Sequence, residues 1–239
     1  MNTKLKLMLA VVYAFCLGFL LFYIFTYLDP KDLTDYGYIK NQSEIFLDYK
    51  KNNLIMFILL FFIFTVIWVL LLGFGSPIAI AAGFIFGKWL GTFITVISFS
   101  IGCTLLYLLA SFYLKELLNK YLKSKISKFK AIFNKNEFLY FMIFRFAGGG
   151  GIPFGIQNVL PVIFNMKIKN YFYATLLGLI PTIFIINSLG DGINIYLKNN
   201  NKIDYFLLIT SPDIYGPIIG FLVLLVISFF VRKKFFKHK

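Results

Sequence analysis

The sequence predicts an all-helical, polytopic integral membrane protein, with two opposed re-entrant hairpins packed among about five transmembrane helices. Three observations carry that expectation. Of 239 residues, 59% are hydrophobic and only 14% are charged, whereas soluble domains carry roughly a quarter. Uncharged runs occupy 7–28, 52–87, 89–114, 146–166, 170–190 and 214–231. Glycine and proline interrupt two of these regions where a plain span would need neither. A soluble core this apolar would lack the polar residues to cover its own surface, while lipid needs no polar cover.

Taken in order, run 7–28 is long enough for one span of about 20 residues. It exceeds a signal-peptide h-region, and Tyr27-Leu28-Asp29 lacks a small-residue cleavage pattern, so a retained helix is expected. Residues 29–53 mix charges with Tyr and Leu and open with Asp29-Pro30, an N-cap and first-turn proline, which predicts a short interfacial helix.

Run 52–87 is too long for one span and slightly short for two with a turn, and its second half carries Gly73, Gly75, Pro77, Gly83 and Gly87. One helix plus a re-entrant segment is expected, tipped at 83–87. Residues 137–166 repeat the problem: a short apolar stretch, Arg145, the glycines Gly148–Gly151, then Pro153 and Pro161. Irregular backbone at membrane depth is tolerated only where protein buries it or a wet cavity receives it. Each broken segment precedes a clean span, 89–114 and 170–190, giving two units of hairpin plus helix. Paired interruptions point to a transport site at a repeat interface. Glycine-mediated helix packing without transport accounts for the same residues equally well, since Gly83, Gly87 and Gly91 form a small-residue ridge.

Between the units, Leu117, Leu118, Tyr121, Leu122, Ile126, Phe129 and Phe133 fall on one helical face, with Lys115, Lys120, Lys123 and Lys128 largely on the rest. This predicts a helix lying at the membrane surface with its ammonium groups among anionic headgroups. The formal net charge of +14 sits in such short stretches beside apolar runs, which favours anionic membrane lipids over nucleic acid as the partner. The lysines of 115–135 and the basic tail 232–239 should both face the cytoplasm, leaving 191–213 outside. The chain thus divides into 1–53, an N-terminal helix and interfacial segment; 54–192, the core; and 193–239, an external loop, last span and tail.

Arg145 is the one charge deep in an apolar stretch. Its long side chain could snorkel to the headgroup layer, or serve a site. One turn later Gly148, Gly149, Gly150 and Gly151 can expose backbone N–H groups as an anion-binding nest, or simply make a tight tip before Pro153. Guanidinium plus amides would hold a phosphate. Gln157 and Asn158 either stitch the hairpin to its neighbours or line a polar path. The ten acidic residues all fall outside the centres of the apolar runs, the single histidine is His238 in the tail, and Cys16 and Cys103 lie within apolar runs. No metal site, cofactor, proton relay or nucleophilic triad is therefore expected, and an enzyme is not.

The ordered set Pro77, Ala82-Gly83-Phe84-Ile85-Phe86-Gly87, Gly91, Phe144-Arg145, Pro153-Phe154, Gln157-Asn158, Thr175, Gly178, Pro181 and Gly190 resembles the VTT domain, or SNARE-associated Golgi protein family. The closer likeness is to the branch named for the yeast Tlg-vesicle protein and human transmembrane protein sixty-four, with DedA proteins as relatives. The resemblance covers roughly 54–192 and implies two facing re-entrant hairpins and movement of phospholipid or lipid-linked phosphate. It also matches Arg145 to the family arginine of the second hairpin. The glycine run lengthens the usual gap between that arginine and the following proline, and the first hairpin lacks the acids of DedA proteins, which argues against proton-driven transport. The expectation is a multi-pass protein of a bacterial cell (inner) membrane that transports or scrambles phosphate-bearing lipids. The rivals are a non-transporting membrane organiser acting through its basic helix, and a small-anion transporter.

Overall fold

The computed structural model describes residues 36–113, 115, 133, 136–200, 202 and 204–236. The expected helix 7–28 and most of the basic segment, including Lys120, Lys123 and Lys128, lie outside the described residues; Lys115 is helical and exposed. The described chain is helical throughout, as expected. Its helices are α1 (Tyr36–Asn52), α2 (Leu54–Leu70), α3 (Gly75–Phe86), α4 (Lys88–Tyr113), α5 (Glu137–Phe146), α6 (Phe154–Val159), α7 (Ile168–Asn199), α8 (Tyr205–Thr210) and α9 (Pro212–Phe236). Two 3₁₀ turns, Gly148–Gly151 and Leu160–Phe164, flank α6. Among the described residues α4 and α7 are long and apolar enough to cross a membrane, with a third span if Lys40–Asn52 and Leu54–Leu70 count as one broken crossing.

Two compact units divide the chain. The smaller holds α1 together with Leu197–Asp204, joined where Lys40 Nζ donates to the Asn200 carbonyl at 2.9 Å. Partial burial, then the neighbouring charges of Lys198 and Lys51, lower the Lys50 pKa from its ordinary value.

The larger unit, Ile55–Tyr196 with Tyr205–Lys239, repeats one order twice: a helix, a break, a short helix, a turn, a long helix. In the first pass α2 leads through 71–74 into α3, which reverses at Gly87 into α4. A Cβ on Gly75 would touch Phe99, and one on Gly91 would press on the Ala82 carbonyl, so α3 and α4 pair antiparallel. In the second pass α5 leads through 147–153 into α6, which reverses at Asn165 (φ 52°) into α7. Here Arg145 reaches Gln157 while Glu137 reaches Lys167, the crossing-over of an antiparallel pair. The two breaks meet: Leu72 lies against Gly155, and Gly75 against Phe154.

At 12 and 10 residues, α3 and α5 are about 18 and 15 Å long, too short for a hydrocarbon layer of about 30 Å. The break matching Gly148–Gly151 lies at 71–74, upstream of the expected 83–87. Gly87 does reverse the chain, but Gly83 is inside α3, where a Cβ would collide with the Asn187 carbonyl of α7. Gly190 of α7 is closed off in the same way by Ile80 of α3. Glycine is used there to let two backbones touch. α4 runs through the middle, with 61% of its apolar window buried against 33% for α7.

Candidate functional site

Asn136 caps α5 by accepting the Leu139 N–H at 3.0 Å, and Glu137 Oε1 accepts from Lys167 N at 3.1 Å and Asn170 Nδ2 at 2.7 Å. These bonds tie the open end of the second hairpin and fix the register of α5 against the start of α7. Two turns on, that register turns Arg145 inward, where it is 0% exposed.

A guanidinium cannot shed its charge, so burial must be answered with acceptors. Arg145 Nη1 donates to Gln157 Oε1 at 3.3 Å, and Nη2 donates to Asn158 Oδ1 at 2.5 Å and to the Tyr171 hydroxyl at 3.1 Å. Tyr171 in turn donates to the Asn158 carbonyl at 3.1 Å. The rings of Phe141, Phe154 and Tyr171 stand 4.8, 5.7 and 5.9 Å from the guanidinium carbon. All of these partners are neutral. Among the described residues no carboxylate lies within ion-pair distance, and Arg145 Nε and Asn158 Nδ2 are buried without a partner.

Gln157 completes the cradle. Its Nε2 donates to the Ile152 carbonyl at 2.6 Å and to Gly148 O at 3.4 Å, so one side chain holds both the arginine and the tip. Gly149 sits at φ 71°, and a Cβ there would collide with the Gln157 amide. Gly148 (φ 64°) faces open space, and Gly150 and Gly151 continue the same 3₁₀ turn. The structure thus brings together Arg145, Gln157, Asn158 and Gly149, with Gln157 seated against the glycines. Lys115 stands apart, exposed beyond α4.

Sequence reasoning did not single out Tyr171, Phe141 or, as an arginine partner, Phe154. Tyr171 had one available signal: a hydroxyl near the start of a long apolar run needs a partner, and Arg145 was the strongest donor without one. Tyr171 also stacks on Tyr107 at 4.5 Å, and Tyr107 donates to the Met166 carbonyl at 2.6 Å, anchoring α4 to the turn before α7. Cys103 of α4 is buried and free.

The chain is similar to the uncharacterized protein YqeD of Bacillus subtilis, 29% identical over 160 residues that cover 66% of this chain and 68% of that one. No solved structure matches. The family model of the VTT domain matches residues 72–192, which include the second break, all but the first residue of the first, the short helices α3, α5 and α6, and the whole Arg145 cluster. With that match and its apolar helices, the chain is an integral membrane protein that belongs to the VTT domain family.

Proposed function

We propose that this protein moves phosphate-bearing lipids between membrane leaflets, as a transporter or scramblase that makes and breaks no covalent bond. In this reading the two broken segments are re-entrant hairpins entering from opposite faces and meeting at 71–74 and 147–153. The observation that carries the proposal is Arg145, a permanent cation at that junction, answered only by neutral dipoles. Such a charge in a low-dielectric setting attracts an anion more strongly than any amide can satisfy it. Two donors already stand unused beside it. When the hairpins part, the phosphate oxygens replace the carbonyls of Gln157 and Asn158 on the guanidinium fork, and those side chains turn their amide N–H groups to the same headgroup. The basic segment around Lys115 gathers anionic lipid at the surface.

The experiment is lipid translocation in liposomes holding fluorescent phospholipid, read by a membrane-impermeant quencher. Wild type should speed quenching of inner-leaflet lipid. Arg145→Gln should slow it by at least about tenfold, with Arg145→Lys in between, since lysine keeps the charge but loses the planar fork. Well-folded Arg145→Gln protein moving lipid at the wild-type rate would overturn the proposal.

One observation favours the rival, a membrane organiser in which Arg145 is a clamp: three of its five N–H donors are already bonded within the hairpin. In that case wild type moves no lipid, and Arg145→Gln loses fold.

A further inference from the structure

Apart from the Arg145 cluster, a pocket of about 320 Å³ opens between the later part of α7, the start of α4 and the start of α9. Arg145 packs against Gly178 of α7, and Ser188 is ten residues farther on, about 15 Å along a helix axis; the pocket and the arginine cluster share no residue. The volume is at the lower end of pockets that hold small ligands. Its polar lining is mixed: Lys88, Ser188, Asp191 and Asp213. Among the described residues neither carboxylate closes an ion pair with Lys88, although all three charges share one cavity.

Helix energetics does not place these charges. Lys88 is the first residue of α4, where a cation opposes the helix dipole, and Asp191 lies well inside α7, away from both ends. Only Asp213, in the first turn of α9, stands where a helix welcomes a carboxylate. Opposite charges held apart on three helices are complementary to one molecule carrying both signs. An anion beside Lys88 also sits at the start of α4, the end of the helix dipole that favours negative charge. An ammonium gains Asp191 and Asp213, and Phe184 lines the same cavity. Beyond the pocket, exposed Val223 and Ile227 lie two turns on from Gly216 and Gly220, on the same face of α9, as an apolar flank on which acyl chains can lie.

We infer that this pocket seats a zwitterionic headgroup, a phosphate ester bearing a primary ammonium. The inference goes beyond transport and does not depend on Arg145. The same chemistry occurs in a membrane lipid and in a free phosphate ester, and the apolar flank points to the lipid.

The test is native mass spectrometry of the full chain in nonionic detergent, titrated with dihexanoyl phosphatidylethanolamine, dihexanoyl phosphatidylglycerol and free phosphoethanolamine. The ethanolamine lipid should bind at least about tenfold tighter than the glycerol lipid, the loss expected when a charge-assisted partner is missing. Asp191→Asn should remove most of that preference. Gly216→Leu should block the pocket while keeping every charge: a Cβ there meets nothing within 4 Å, and leucine suits a helix better than glycine. Thermal melting of both variants keeps misfolding distinguishable from lost binding. Equal binding of the two lipids, or a folded Gly216→Leu protein that binds as wild type, would overturn the inference. Free ester binding as tightly as the lipid would keep the ligand class and assign it a soluble source. The measurement involves no translocation, so a chain that binds the zwitterion and moves no lipid would remove the transport proposal alone.

Discussion

Tyr171 shows how much one hydroxyl can hold. It accepts from Arg145, donates to the Asn158 carbonyl, and its ring lies between Tyr107 and Phe141 with centroids at 4.5 and 5.1 Å. Tyr171→Phe keeps the ring packing and removes both bonds, leaving a buried guanidinium donor and a buried carbonyl short of a partner. The expected loss is about 1–3 kcal/mol, seen as a lower melting temperature in detergent. A variant that melts with wild type would show that water replaces the hydroxyl there. Arg145, Gln157 and Asn158 were legible in the sequence, because polar groups inside an apolar run must find partners wherever the chain goes. Tyr171 was not, because its part in the cluster comes from α7 running parallel beside α5, a tertiary pairing that no local pattern encodes.

The same distinction holds for whole elements. The starts of the two long helices were close to readable: uncharged runs beginning at 89 and 170 became α4 from Lys88 and α7 from Ile168. The break at Gly148–Gly151 was readable too, since four glycines have little use inside a helix. The first break was misplaced because glycine serves two purposes that look alike in sequence. Gly87 supplies a positive φ where the chain reverses, whereas Gly83 supplies an absent side chain where α3 crosses α7. The actual break at 71–74, Leu-Leu-Gly-Phe, holds Gly73, one of the glycines that marked the run as interrupted, but its apolar neighbours gave no sign that the chain breaks there rather than at 83–87. The crossing makes a sharp prediction: Gly83→Val has no room against Asn187 and should destabilise by about 1–3 kcal/mol or more, as overpacking does. A comparable substitution at Gly216, which faces open space, should not. Thermal melts of the two variants side by side check this.

Across the whole of the larger unit, α4 and α7 run antiparallel: Asn187 Nδ2 meets Thr92 Oγ1 at 3.1 Å near one end, and Tyr107 stacks on Tyr171 near the other. The turn at Gly87 and the turn at Asn165 therefore lie at opposite ends of the pair. The positive-inside rule expects the lysine-rich 115–135 segment inside, so the Gly87 end should face out. In a cysteine-free background, Lys88→Cys should react with an impermeant thiol reagent on intact cells, while Lys169→Cys should react only after permeabilisation. Labelling of both from one side would show that α4 and α7 do not cross. The uncompensated guanidinium at the meeting of the two breaks also bears on the cell's energy supply. A fixed positive charge raises the electrostatic barrier to every other cation, as an arginine does in water pores that exclude protons. A passage that opened around Arg145 would let an anionic headgroup through while resisting sodium ions and protons. The membrane could then move lipid through this junction without discharging the gradients that drive its other work.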